Sequence, residues 1–294
     1  MIERENVQFL SEGVKCTGWF YRAKGKSGAP CIILGHGFGG VKELRLDAYS
    51  EAFVAEGYNA LVFDYRHFGE SDGEPRQILN IKKQHQDWRA AIRFARGIPG
   101  IDPRRIVLWG TSFSGGHVIA AAVQDNDIAA VISQVPHLDG LATAMAGNPI
   151  QNFRLSLAAW RDIFRQVFRR MPYYVPIVGQ PGTLAAMTTP DAEEGVKHLC
   201  PEGFDYEENV AARIFLSVPF YSPGRLAPKL RVPWLLQAAA DDSVTPVKPA
   251  CKAALKAFKG QLIVYKCGHF DVYIPPYFDQ TVGDQLTFLR NCLK

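Results

Sequence analysis

The sequence predicts an α/β fold in one core domain, and three observations carry that prediction. Short apolar runs of the kind a buried parallel strand needs recur at 31–34, 59–64, 106–109, 129–134, 232–238 and 262–266, with helical stretches between most of them. One of these, 106–109, leads into Gly110-Thr111-Ser112-Phe113-Ser114-Gly115-Gly116 and then an apolar helix face at 120–123, giving strand, tight turn and helix. The alternation stops near residue 137 and resumes at Val232, so the stretch between reads as an insertion and not as a second domain. With 294 residues, 47% of them hydrophobic, the chain can bury a single large core.

In chain order, 7–10 and 14–21 read as two antiparallel strands about Glu12-Gly13. A Gly/Ser-rich turn at 25–30 precedes the strand 31–34, which runs into Gly35-His36-Gly37-Phe38-Gly39-Gly40. A helix at 46–55 ends at Glu56-Gly57, and the strand 59–64 is followed by a polar, turn-rich loop over 65–73. The helix 84–96 has Trp88, Ile92 and Ala95 at core spacing, and Asp102-Pro103-Arg104-Arg105 leads into 106–109. The strand 129–134 ends at Val135-Pro136-His137-Leu138-Asp139.

The insertion, 137–228, has Trp160, Phe164 and Phe168 at helical spacing, arginines between them, and Tyr173 and Tyr174 beyond. It is expected to be helical and to fold over the strand ends as a lid. General packing makes the aromatic stripe its interior, with a few side chains facing the pocket. The core then comprises 1–136 and 229–294, closing with a strand at 232–238, a helix at 248–259, a strand at 262–266 and a helix at 281–292.

Net charge is +4 with acids and bases mixed and no basic tract, so nucleic acid is not an expected partner. Six cysteines are widely spaced with no C-x-x-C pair, and Cys31, inside a strand run, reads as a reduced, buried thiol. The start, Met-Ile-Glu-Arg-Glu-Asn, lacks a signal-peptide core, and no stretch is long and apolar enough to span a membrane. The expectation is a cytoplasmic protein with no membrane span; a homo-oligomer stays open.

Strand, turn with a central serine, and helix is the setting in which Gly-x-Ser forms a nucleophile elbow, which exposes the Ser112 hydroxyl and aims the Phe113 N–H at a substrate oxygen. Position 114 is serine where the usual pattern has glycine. Serine is small enough for the close strand–helix approach, and Ser114 is also a rival nucleophile, set deeper in the helix. The glycines at 35–40 let backbone N–H groups approach a ligand, but the Lys-Ser/Thr or G-x-G-x-x-G spacing of a phosphate site is missing. An oxyanion-hole loop fits better, with the Phe38 N–H as donor and His36 bracing the loop.

Nucleophile, acid and histidine at the ends of successive strands is a known chain order for a hydrolytic triad, and Ser112, Asp242 and His269 occupy those places. His269 would take the serine proton and return it to the leaving group, and Asp242 would fix the imidazole tautomer. Asp242 is preferred because Asp-x-x-x-Pro places Pro246 at the start of the next helix; Asp241 and Asp139 are the other candidates for the acid. Asp64 and Asp72 come too early for this order and are read as loop braces that ion-pair with Arg66.

With these residues in place, three segments resemble one branch of the α/β-hydrolase superfamily: Gly35-His36-Gly37-Phe38-Gly39-Gly40, the stretch 63–76 with Phe63-Asp64-Tyr65-Arg66 and Gly69-Glu70-Ser71-Asp72-Gly73-Glu74-Pro75-Arg76, and Gly110–Gly116. That branch groups X-Pro dipeptidyl-peptidase-like and dienelactone-hydrolase-like proteins with fungal polyketide acyltransferases, and the Ser-Phe-Ser-Gly-Gly elbow is usual there. The resemblance covers nearly the whole chain. It implies a mainly parallel eight-stranded sheet, a serine nucleophile, no metal and no organic cofactor. The lid matches no motif, so no substrate is implied.

The first function class is a serine hydrolase cleaving carboxylic esters or related acyl bonds, its small-molecule acyl substrate partly hydrophobic because a lid supplies apolar walls. An acyltransferase would use the same three residues with an alcohol or amine in place of water. The second class is a non-catalytic binding protein on this scaffold, which an intact Ser112, Asp242 and His269 argue against.

Overall fold

A computed structural model describes residues 4–24 and 28–293; of the expected turn at 25–30, residues 25–27 lie outside the described residues. In chain order the elements are β1 (Arg4–Ser11), β2 (Val14–Tyr21), β3 (Ala29–Gly35), α1 (Leu46–Ala55), β4 (Asn59–Phe63), α2 (Ile81–Arg96), β5 (Ile101–Thr111), α3 (Phe113–Gln124) and β6 (Ile128–Gln134). The stretch that interrupts the alternation holds α4 (Gly140–Ala146), α5 (Pro149–Val167), β7 (Tyr174–Pro176), α6 (Ala192–Leu199) and β8 (Asn209–Ala211), then 3-10 turns at Ala212–Leu216, Val218–Phe220 and Pro223–Lys229. The chain closes with β9 (Trp234–Ala239), α7 (Val247–Lys256), β10 (Gly260–Tyr265) and α8 (Tyr277–Cys292).

Eight strands form one sheet in the order β1-β2-β4-β3-β5-β6-β9-β10. β2 runs antiparallel to both β1 and β4, and every other pairing is parallel. Strand order and the right-handed crossover rule together put α2, α3 and α7 on one face and α1 on the other, where it meets α8. A sheet covered on both faces needs strands that are apolar throughout, and β3 and β4 are buried at every residue. Register then aligns the strand ends that matter: Gly35 lies beside Gly110, Thr111 beside Gln134, and Gln134 beside Gln237.

Several elements differ from expectation for local reasons. α2 starts three residues early because the Asn80 side chain accepts from the Lys83 N–H at 3.0 Å and caps it. β5 extends back to Ile101, pairing Ile101 with Ala29 across a register irregularity before Ile106 meets Cys31. Pro103 sits in that irregular stretch, where a missing N–H is tolerated.

The inserted stretch is helical with one short antiparallel pair, β7 against β8. Its aromatic stripe is not interior: Trp160, Phe164 and Phe168 are each more than half exposed. α5 instead buries Leu155, Ala158, Ala159 and Asp162. A carboxylate faces inward because it has a partner: Asp162 accepts from Arg213 Nε at 2.7 Å and Nη2 at 2.8 Å, and from the Tyr173 N–H at 2.8 Å. Burial opposes this charge, but the Arg213 bonds hold the Asp162 carboxyl below the usual carboxylate range.

Candidate active site

Ser112 joins β5 to α3 with φ 52° and ψ −116°, a region that costs a non-glycine residue about 1–3 kcal/mol. Hydrogen bonds impose it: the Ser112 N–H donates to the Gln134 carbonyl at 2.9 Å, and the Ser112 carbonyl accepts from Gly115 at 3.0 Å and His137 at 2.8 Å. The turn closes only with glycine at 110, where a Cβ would strike the Ser114 carbonyl, and at 115, where it would lie 2.7 Å from Pro136 Cβ. Ser114 is fully buried and turned away from solvent. Its hydroxyl donates to the His36 carbonyl and lies 2.5 Å from Tyr65 Oη, which accepts from Trp88 Nε1 at 2.6 Å. Serine in place of glycine thus bonds the elbow to the 35–40 loop.

His269 and Asp242 reach Ser112 from the ends of β10 and β9. His269 Nε2 lies 3.2 Å from Ser112 Oγ, and Nδ1 lies 2.8 Å from Asp242 Oδ2. Asp242 also accepts from the Val244 N–H at 2.8 Å, the Thr245 N–H at 2.5 Å and Thr245 Oγ1 at 2.9 Å. Burial raises the cost of its charge, yet His269 and these donors hold the carboxyl below the usual range. Thr245 is thus a second partner of the acid, and Asp followed three residues later by threonine is the signal in the sequence. Pro246 is the N-cap of α7, one position before the helix proper. Asp241 is exposed, and Asp139 is taken up capping α4 through Leu141 and Ala142 N–H groups at 3.1 Å each.

The 35–40 loop packs on the serine, since a Cβ at Gly37 would sit 3.1 Å from Ser112 Cβ. The Phe38 ring meets the Phe113 ring edge-on at 5.5 Å. Phe113 opens α3, so its N–H belongs to the first turn and has no intrahelical acceptor. His36 Nδ1 lies 3.0 Å from the Gly37 carbonyl, and burial pushes the imidazole down to about 4, so it is neutral and braces the loop. Behind Phe113 stand residues that sequence patterns did not single out. Tyr221 Oη lies 2.6 Å from His117 Nδ1 and 3.0 Å from His85 Nε2, and the His117, His137 and Tyr221 rings all pack on Phe113.

A cavity of about 60 Å³ opens beside Ser112, and the inserted stretch contributes Ile177, Met187, Val196, Leu199 and Tyr206 to its wall. These come from the β7–α6 region and the chain after it, not from the aromatic face of α5.

The loop acids are paired differently from expectation. Asp64 binds Lys42, whose Nζ lies 2.7 Å from Asp64 Oδ2, 2.7 Å from Glu43 Oε1 and 2.9 Å from Glu70 Oε2. Arg66 pairs with Asp87 at 2.6 Å, and Asp72 with Lys15 at 3.4 Å. Glu43, Asp64 and Glu70 converge closely enough to hold a cation, but the buried Lys42 ammonium already binds all three.

Comparison with known proteins agrees with this architecture. The alpha/beta hydrolase family matches residues 32–280. The quorum-quenching protein AidA of Acinetobacter baumannii (strain MDR-ZJ06) is 44% identical over 97% of this chain and 94% of its own length. The polyketide transferase ATR5 of Stachybotrys chlorohalonatus (strain IBT 40285) is 27% identical over 100% and 99%. Among solved structures, the alpha/beta hydrolase GrgF of Penicillium sp. sh18 superposes with a TM-score of 0.85 over 99% of both chains at 23% identity.

Proposed function

The chain belongs to the alpha/beta hydrolase family, and from that premise we propose that it cleaves carboxylic ester or related acyl bonds through an acyl-enzyme on Ser112. One observation carries the reading: the hydrogen-bonded run from Ser112 Oγ to His269 Nε2 at 3.2 Å and from His269 Nδ1 to Asp242 at 2.8 Å. A serine hydroxyl is a weak nucleophile at neutral pH. His269 takes its proton as Oγ attacks the acyl carbonyl, and Asp242, held as a carboxylate by Thr245 and Val244, stabilises the imidazolium. The Phe38 and Phe113 N–H groups receive the oxyanion. His269 then protonates the leaving alcohol, and water attacks the acyl-enzyme by the same steps in reverse order.

The stretch 137–228 acts as a lid in this reading. Ile177, Met187, Val196 and Leu199 offer an acyl group an apolar wall, which favours a partly hydrophobic small molecule. A second reading, acyl transfer to an alcohol or amine, is supported by likeness to a relative named a polyketide transferase.

A fluorophosphonate probe tests the proposed nucleophile: the wild type should label and Ser112→Ala should not. Labelling that survives in Ser112→Ala but is lost in Ser114→Ala would overturn the assignment. Aryl esters of increasing acyl length then map the wall, and product analysis with added alcohols separates transfer from hydrolysis.

A further inference from the structure

α5 carries two apolar faces, of which only one is used within the chain. Leu155, Ala158 and Ala159 are buried, and the Asp162–Arg213 pair fastens that side down. On the other side Ile150, Phe153, Leu157, Trp160, Phe164 and Val167 are each 54–71% exposed. They follow one another at steps of three, four, three, four and three residues. That is the 3.5-residue period of a seam that packs against another helix, and it runs the length of α5.

We propose that this seam is a homodimer interface, in which α5 of one chain packs on α5 of a second copy about a twofold axis. The area is right for that occupant. An aromatic side chain carries roughly 150–250 Å² and an aliphatic one somewhat less, so three of each, all more than half exposed, present on the order of 700 Å² per chain. A stable interface takes about 800 Å² from each partner, whereas a monomer rarely exposes an apolar patch beyond about 300–600 Å². Phe168 and Met171, just past the helix end, are also more than half exposed and extend the patch.

The period selects a helix over a lipid surface. A seam of alternating three- and four-residue steps is a narrow stripe fitted to the ridges of one partner helix. The nearby cations are partly committed within the chain: Arg161 lies over the Tyr173 ring at 4.3 Å, Arg154 donates to the Gly182 carbonyl at 2.7 Å, and Arg165 to the Met171 carbonyl at 2.6 Å. A twofold axis presents the same patch from both copies, so one chain's sequence suffices to make the interface.

Light scattering on the eluting full-length protein, at about 1 to 100 μM, should give twice the chain mass, and the double variant Trp160→Glu/Phe164→Glu should elute at the monomer mass. Circular dichroism checks that the variant folds. If it does not fold, p-benzoylphenylalanine placed at position 157 decides, because irradiation should yield a cross-linked dimer of this chain. A wild type that stays monomeric at 100 μM overturns the proposal, whether or not it sediments with phosphatidylserine vesicles. So does a dimer that persists in the folded double variant or gives no cross-link through position 157.

Discussion

The sheet ends and the stretch 137–228 use the same residue types to opposite effect. At the sheet ends apolar residues are inside and the polar ones that matter stand at the ends of strands, as Ser112, Asp242 and His269 do. In 137–228, Asp162 is inside and Trp160, Phe164 and Phe168 are outside. A strand between two layers of helices has no exposed face, so hydrophobicity alone fixes where it goes. A helix of the inserted stretch has two faces to assign, and on α5 Leu155, Ala158 and Ala159 with the Asp162–Arg213 salt bridge hold the inner one. Position in the fold, not residue type, therefore separates the proposed chemistry from the surface that surrounds it.

The largest effects should come from the sheet ends. Ser112→Ala should lower turnover by roughly 10⁴–10⁶-fold, measured on an activated aryl ester. Asp242→Asn should cost about 10⁴-fold, while Asp241→Asn and Asp139→Asn stay close to wild type, asparagine being as good a helix cap as aspartate. If Asp139→Asn proves the crippling change, the acid belongs to the strand before the insertion.

In 137–228 the largest effect should be on stability. Asp162→Asn breaks a buried pair and should lower the unfolding free energy by about 3 kcal/mol in urea titration. The folded Asp162 carboxyl is held below its usual range. Its contribution is therefore complete above the ordinary carboxylate pKa of about 4 and fades as pH falls through the lower folded value. Wild type and variant should converge in stability in strong acid; a gap that stays constant down to pH 2 would mean that the ion pair is not its source.

Smaller effects separate the two apolar surfaces of 137–228. Leu199→Ala enlarges the cavity wall and should shift the ratio of kcat/KM values toward longer acyl chains by about tenfold. Phe153→Ala, on the exposed seam, should leave that ratio unchanged. Equal shifts in both would erase the distinction between wall and seam. Ser114→Ala should be the mildest of the site variants, with labelling retained and turnover down a few-fold.

How much could be read in advance follows the same division. The strands, the elbow and the meeting of Ser112, Asp242 and His269 were legible because each residue follows a strand whose place in the sheet the parallel topology fixes, β10 at its largely exposed edge included. The division of α5 into faces was not, since an alanine face and an aromatic face both read as apolar. Nor were the partners of the buried charges. Asp64 lies 22 residues from Lys42, and the nearer Arg66 turns to Asp87 because α2 passes beneath it. Sequence distance says little about which of several cations a buried carboxylate will meet. The Tyr221–His117–His85 cluster spans 136 residues and left no local pattern to notice.

The bond from the Ser114 hydroxyl to the His36 carbonyl has a mechanical consequence. The two N–H groups proposed to receive the oxyanion, those of Phe38 and Phe113, sit on separate segments, each one to two residues from an end of that bond. That bond adds to the β3–β5 pairing and to the packing of Gly37 on Ser112 in fixing their spacing. With glycine at 114 the same gap would be set by the strand pairing and packing without this side-chain tie. If the proposed acyl-enzyme forms on Ser112, losing this tie should therefore weaken the hold on the oxyanion more than it alters substrate range.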